Sequence, residues 1–164
     1  MSGIRAKTIS GLKRGDVFIV SRTFGENEVK TFADITHDYN PVHFDDRFAE
    51  AKNFDGRICH GLLTGAMVTE IGGQIGWLAT QMNFEFKKPV YFGDTITCRF
   101  LIADVDARGW ARAEITMKNQ DGLTVVEAWI TGRLPGNRDI EVLEAMVAEG
   151  DPTNGLRGKR AEDQ

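Results

Sequence analysis

Serine is scarce in this chain, occurring only at positions 2, 10 and 21. No Gly-x-Ser-x-Gly elbow exists, so a serine-hydrolase triad is not expected. Two cysteines, Cys59 and Cys98, are too few for a disulfide framework. Positive charge is not in excess either: 20 basic residues face 24 acidic ones, a net charge of −4. The basic footprint of a nucleic-acid binder is therefore missing. The first residues, Met-Ser-Gly-Ile-Arg, lack the apolar core of a secretory signal. The expected address is the reducing cytoplasm. Only one long apolar run occurs, residues 61–79, and it carries Glu70, Gln74 and five glycines. A charge at mid-bilayer is costly, so the run reads as a buried helix of a soluble domain and no membrane partner is expected.

What remains is an ordinary globular composition, 41% hydrophobic and 27% charged. At roughly 150 residues per domain, 164 residues make one domain. We place it at 1–150, followed by a polar, mobile tail at 151–164. Residues 17–24 (VFIVSRTF) read as a strand after an Arg14-Gly15-Asp16 turn. Val29, Phe32, Ala33 and Thr36 recur at helical spacing, with Asn27 as the candidate cap and an end enforced by Pro41. Residues 45–52 read as a short helix. In the run 61–79, Leu63, Met67, Ile71, Ile75 and Leu78 share one stripe. Its glycines either let the helix approach a sheet closely or break the run in two.

From Phe84 onward the period becomes two. Ile96, Cys98, Phe100 and Ile102 share a face, as do Ala111, Ala113, Ile115 and Met117, and Val126, Ala128 and Ile130. Residues 119–122 (NQDG) form the hairpin turn between the last two of these strands. Residues 139–149 read as a closing amphipathic helix. The expected class is α+β, one long helix wrapped by a curved antiparallel sheet. Such a sheet leaves an edge that pairing of two copies would cover.

The chemistry gathers in residues 36–43 (THDYNPVH). Asp38 and His43 are five apart, which would diverge on a helix, but Pro41 forces a turn that can fold His43 back beside Asp38. That pairing supplies two proton-transfer groups at one point, and Asn40 adds an amide able to orient a water. On residue types alone, the same run also reads as the punctuation of a helix end. His60-Gly61 opens the apolar helix, where unpaired N–H groups favour an oxyanion. Gly61 also reads as a simple cap of a core helix. Adjacent residues on an extended chain point apart, so Cys59 and His60 do not read as a nucleophile pair. Cys59 reads instead as a small buried hydrophobe. His37-Asp38 lacks the further ligands of a metal-phosphohydrolase centre, and no metal site is expected.

Taken together, Asp38-Tyr39-Asn40-Pro41-Val42-His43, His60-Gly61-Leu62 and the run from Asn83 to Asp94, with its Pro89-Val90 and Gly93-Asp94, resemble the MaoC-like dehydratase family, which includes the (R)-specific enoyl-CoA hydratases. The likeness spans residues 15–134. The family's usual glycine before the aspartate is His37 here. The resemblance implies a hot-dog fold and a homodimer or higher homo-oligomer. It implies a hydro-lyase acting on a 2-enoyl or 3-hydroxyacyl thioester, carried by coenzyme A or acyl carrier protein, with no cofactor. Asp38 and His43 would then manage the protons and the N–H of Gly61 would hold the thioester oxygen. Asn40, His60, Lys87 and Lys88 would contact the substrate, with Arg57 and Arg99 as further candidates for the anionic carrier. A thioesterase on the same fold and a non-catalytic acyl-thioester-binding subunit are the alternative readings.

Overall fold

The computed structural model describes residues 3–156. Its centre is a five-stranded antiparallel sheet of β1 (Val17–Thr23), β2 (Leu78–Phe86), β3 (Thr95–Val105), β4 (Trp110–Lys118) and β5 (Thr124–Arg133). Their spatial order is β1-β3-β4-β5-β2, which leaves β1 and β2 as edges. Six helices accompany the sheet: α1 (Gly3–Ile9), α2 (Glu26–Thr36), α3 (Asp46–Ala51), α4 (Gly61–Gly65), α5 (Met67–Ile75) and α6 (Asn137–Ala148). The expected α+β class and hot-dog arrangement are what the chain adopts.

Alternation explains the sheet's inner face. Ile96, Cys98, Phe100 and Ile102 on β3 are buried, as are Ala111, Ala113, Ile115 and Met117 on β4, and Val126, Ala128 and Ile130 on β5. Met67, Val68, Ile71 and Ile75 of α5 pack into the same core. Fully burying one such side chain contributes roughly 1.5–3 kcal/mol, so this face dominates the fold's stability. The β4–β5 hairpin turns where expected. Gly122 takes φ +77°, and Asn119 accepts from the N–H groups of Asp121 and Leu123.

The apolar run 61–79 is not one helix. It breaks at Ala66 and stops at Gly76, whose φ of +79° is left-handed. Leu78 is therefore not on the helical stripe. It starts β2, an edge strand exposed along nearly its whole length. Asn27 does not cap α2; the cap is Gly25, two residues earlier, where Glu28 reaches back to accept the N–H of Gly25. The polar first residues form a helix, α1, that was not expected.

The first residues of the expected tail, 151–156, contact the domain. Arg5 of α1 donates to the Asp151 carboxylate at 2.7 Å and to the carbonyls of Gly73 and Gln74 at 3.4 Å. Asn154 exchanges two 3.1 Å amide bonds with Gln74. Asp151 and Asn154 are buried, Asp151 accepting from Arg5 and from the Asn154 amide, and Asn154 paired with the side chain of Gln74. Residues 157–164 lie outside the described residues.

Candidate active site

The proline turn forms as the spacing requires. Asn40 caps a 3-10 turn, Pro41–His43, by accepting the N–H of Val42 at 3.2 Å, and Asp38 accepts the N–H of Asn40 at 3.2 Å. His43 is thereby turned inward, while the side chain of Asp38 stays half exposed. One donor atom each of Asp38, His43 and His60 lies within 4.8 Å of the others.

Hydrogen bonds fix the imidazole tautomers. His43 Nδ1 stands 2.8 Å from the carbonyl of Ile58. A carbonyl only accepts, so Nδ1 carries the proton and Nε2 of neutral His43 keeps a lone pair. By the same logic His60 donates from Nε2 to the main-chain carbonyl of Asp38 at 3.0 Å. Its Nδ1 is buried without a partner. The two rings lie face to face, with centroids 3.8 Å apart and planes tilted by 34°. Burial lowers the pKa of His43 below the usual 6.5. The Ile58 carbonyl opposes this, His60 adds to it, and Asp38 opposes it. Neutral His43, the form able to take a proton, is therefore favoured.

Beside this cluster opens a cavity of about 430 Å³, lined by His43, Cys59, Gly61, Thr64, Phe86 and Lys88 among others. Its walls are largely apolar, and His43 is the imidazole on them. Asp38 is not in the lining but stands next to His43. A larger depression of about 950 Å³ lies between α1, the β3–β4 turn and the start of α6, and holds none of the expected site residues. Size does not choose between the two; the paired carboxylate and imidazole do.

The expected site residues divide. Asp38 and His43 come together, and Gly61 lines the cavity with His43. His60, at 2% exposure, is enclosed beside His43, is not among the residues lining the cavity, and tethers the main chain of Asp38. Lys87 lines the cavity but ion-pairs with Glu85 and with Glu127 at 3.2 Å, so its charge is already balanced. Lys88 lines the cavity, exposed. Arg57 is bound to Glu26 and Asp46 and lies over the ring of Phe92. Arg99 projects from the opposite face of β3 to buried Cys98 and Phe100. Cys59 is buried and its thiol is pushed up to about 12, first by desolvation, so no thiolate nucleophile forms there near neutral pH.

Asp38, His43 and His60 also converge as metal ligands do among the described residues. Two of their four ring nitrogens are, however, committed to main-chain carbonyls.

The MaoC like domain model matches residues 10–126. The chain belongs to this family. A mitochondrial 3-hydroxyacyl-[acyl-carrier-protein] dehydratase of Arabidopsis thaliana is 32% identical over 156 residues, 90% of each chain. An (R)-specific enoyl-CoA hydratase of Aeromonas caviae is 34% identical over 90 residues, 52% of this chain and 67% of that one. The solved (R)-hydratase of A. caviae involved in PHA biosynthesis superposes with a TM-score of 0.72 at 28% identity. That match covers 76% of this chain and 98% of that chain.

Two parts of this MaoC-like site were not read from the sequence. One is the Ile58 carbonyl, which has no side-chain signal. The other is the wall of Phe84 and Phe86. A Cβ on Gly61 would come within 3.0 Å of the Phe86 ring, and one on Gly65 within 3.2 Å of the Phe84 ring. Glycines four apart on a helix facing aromatics two apart on a strand were the available signal. A side chain at position 61 would thus press on the Phe86 ring, whatever the role of the Gly61 N–H.

Proposed function

We propose that this MaoC-like chain is a hydro-lyase. It adds water across the double bond of a 2-enoyl thioester, and removes it from a 3-hydroxyacyl thioester in reverse. The observation that carries the proposal is the pairing of Asp38 with a neutral, inward-facing His43 at the mouth of an apolar cavity. The relatives named above for hydratase and dehydratase activity support it.

In this reading a water sits between Asp38 and Nε2 of His43. The two groups take its proton as the hydroxyl adds to C3, and return one proton to C2, so the overall step consumes only water. They act as a coupled pair. Asn40 spends its carbonyl oxygen on the 3-10 turn, which leaves its amide nitrogen to orient the water. Enolate charge on the thioester oxygen is met by the N–H of Gly61; one such donor is worth roughly 3–4 kcal/mol. The thioester itself activates C3, so the proposed step needs no cofactor. Lys88 meets the anionic carrier, coenzyme A or acyl carrier protein. The chain works as a homodimer, with edge strand β2 and its exposed Leu78 covered by a second copy.

The test is incubation of the purified chain with crotonyl-CoA. Loss of the conjugated-thioester absorbance with formation of 3-hydroxybutyryl-CoA is expected. Release of free thiol would point to a thioesterase instead, and tight acyl-CoA binding without turnover to a non-catalytic subunit.

A further inference from the structure

Three cross-strand pairs run side by side on the inner face of β2 and β5: Phe86 with Val126, Phe84 with Ala128, and Met82 with Ile130. The first pair lines the 430 Å³ cavity beside His43. The third lines a second, apolar cavity of about 250 Å³, completed by Val68, Thr69, Gly72 and Trp77. The middle pair lines neither. The helical side repeats this order. Gly61 and Thr64 face the first cavity, and Val68, Thr69 and Gly72 the second. Gly65, between them, lies under the ring of Phe84, which is also stacked on Phe86 at 6.1 Å with planes 10° apart.

We infer that the two cavities are one acyl trough divided by Phe84, and that this ring sets the length of chain accepted. The inference rests on the hydro-lyase reading and deepens it. Val126 and Ile130 are four residues apart on β5, about 13 Å at roughly 3.3 Å per residue. A chain reaching from one cavity into the other therefore carries roughly ten carbons, at about 1.3 Å of advance per carbon–carbon bond. With Phe84 seated on Gly65, the chain must end in the first cavity, so the substrate class is the short-chain 2-enoyl thioesters.

The test compares four- and ten-carbon 2-enoyl-CoA substrates. The wild-type chain favours the four-carbon substrate. Phe84→Ala raises the ten-to-four ratio of kcat/KM about tenfold or more, and Phe84→Leu, a milder change for the core, raises it less. Adding Gly72→Val to Phe84→Ala fills the second cavity and returns the ratio toward wild type. Saturated decanoyl-CoA gives a readout that needs no turnover. It binds Phe84→Ala more tightly than wild type and changes the fluorescence of Trp77, a change that Trp77→Phe removes. If the four-carbon substrate is hydrated but the ratio stays put in both Phe84 variants, or if wild type takes ten carbons as readily as four, the partition is wrong and the hydro-lyase reading stands. If no substrate turns over yet decanoyl-CoA shows the Phe84-dependent binding, the partition stands and the hydro-lyase reading fails.

Discussion

Replacing His60 with phenylalanine separates holding the site from holding the fold. His60 is enclosed, stacks on His43 and donates one hydrogen bond to the Asp38 carbonyl at 3.0 Å, while its Nδ1 has no partner. Phenylalanine keeps an aromatic ring against His43 but is somewhat larger, and overpacking costs about 1–3 kcal/mol. Losing the hydrogen bond costs about 0.5–1.5 kcal/mol. Removing an unsatisfied buried nitrogen returns about 1–3 kcal/mol. The gain and the costs nearly cancel, so His60→Phe should unfold within about 2 kcal/mol of wild type. His60→Ala, which leaves a cavity under His43, should lose about 2–4 kcal/mol. Activity should respond differently. The tether that fixes the main chain of Asp38 is gone, and a small misplacement of a reacting group is expensive. We expect kcat for His60→Phe to fall about tenfold or more. The pKa of His43 should also rise, because a neighbour that lowers it is removed, moving the acid limb of the pH profile upward. Urea denaturation and steady-state hydration on the same preparations check both. Full activity in a folded His60→Phe would refute the tethering role, and a loss of more than about 2 kcal/mol would refute the cancellation.

Three further outcomes follow from the same geometry. His43 titrates below the usual 6.5 in the folded chain, so kcat/KM should hold to below pH 6.5 before falling. Because the unfolded chain binds that proton more readily, the stability His43 contributes is complete above pH 6.5 and is lost as the pH drops through the lowered folded value; an acid limb at or above pH 6.5 would contradict this. Gly132→Ala should cost about 3 kcal/mol or more, since a Cβ there falls 2.2 Å from the Leu78 carbonyl and 2.7 Å from Ala79 Cα; a denaturation midpoint like wild type would show that β2 can move away. His37→Gly should stabilise by about 0.5–1 kcal/mol, as His37 ends α2 at φ +58°, where a non-glycine residue is strained by roughly 1–2 kcal/mol; a lower melting temperature would count against it.

The left-handed turn at His37 also explains the position where the chain departs from its family's usual glycine. It is one example of what the sequence leaves implicit. Strands β3 to β5 were legible because each buries one face, and burial of one face writes a period of two into the residue order. β2 was not, because an edge strand with residues such as Thr80, Gln81 and Asn83 buries too little to alternate. The run 61–79 was legible as buried, and a break was one of the two readings of its glycines; the place of the break was not legible, since Ala66 has no proline or left-handed glycine to mark it. The approach of His43 to Asp38 was readable because a proline fixes their turn. The part played by His60 was not, because only its burial beside His43 distinguishes a tether from a substrate contact. Lys87 looked available for an anion until β2 and β5 brought Glu85 and Glu127 to it. Charge balance across strands is set by register, which no local pattern records.

The most direct test of the central claim, that one carboxylate and one imidazole act together on one water, is a double-mutant cycle. Asp38→Asn and His43→Ala are measured singly and together for hydration of crotonyl-CoA. Each single change should lower kcat by roughly 10²–10⁴, and the double should be little worse than the poorer single, since groups acting as a unit are not additive. Losses that multiply in the double variant, or a folded Asp38→Asn that hydrates at the wild-type rate, would contradict the account.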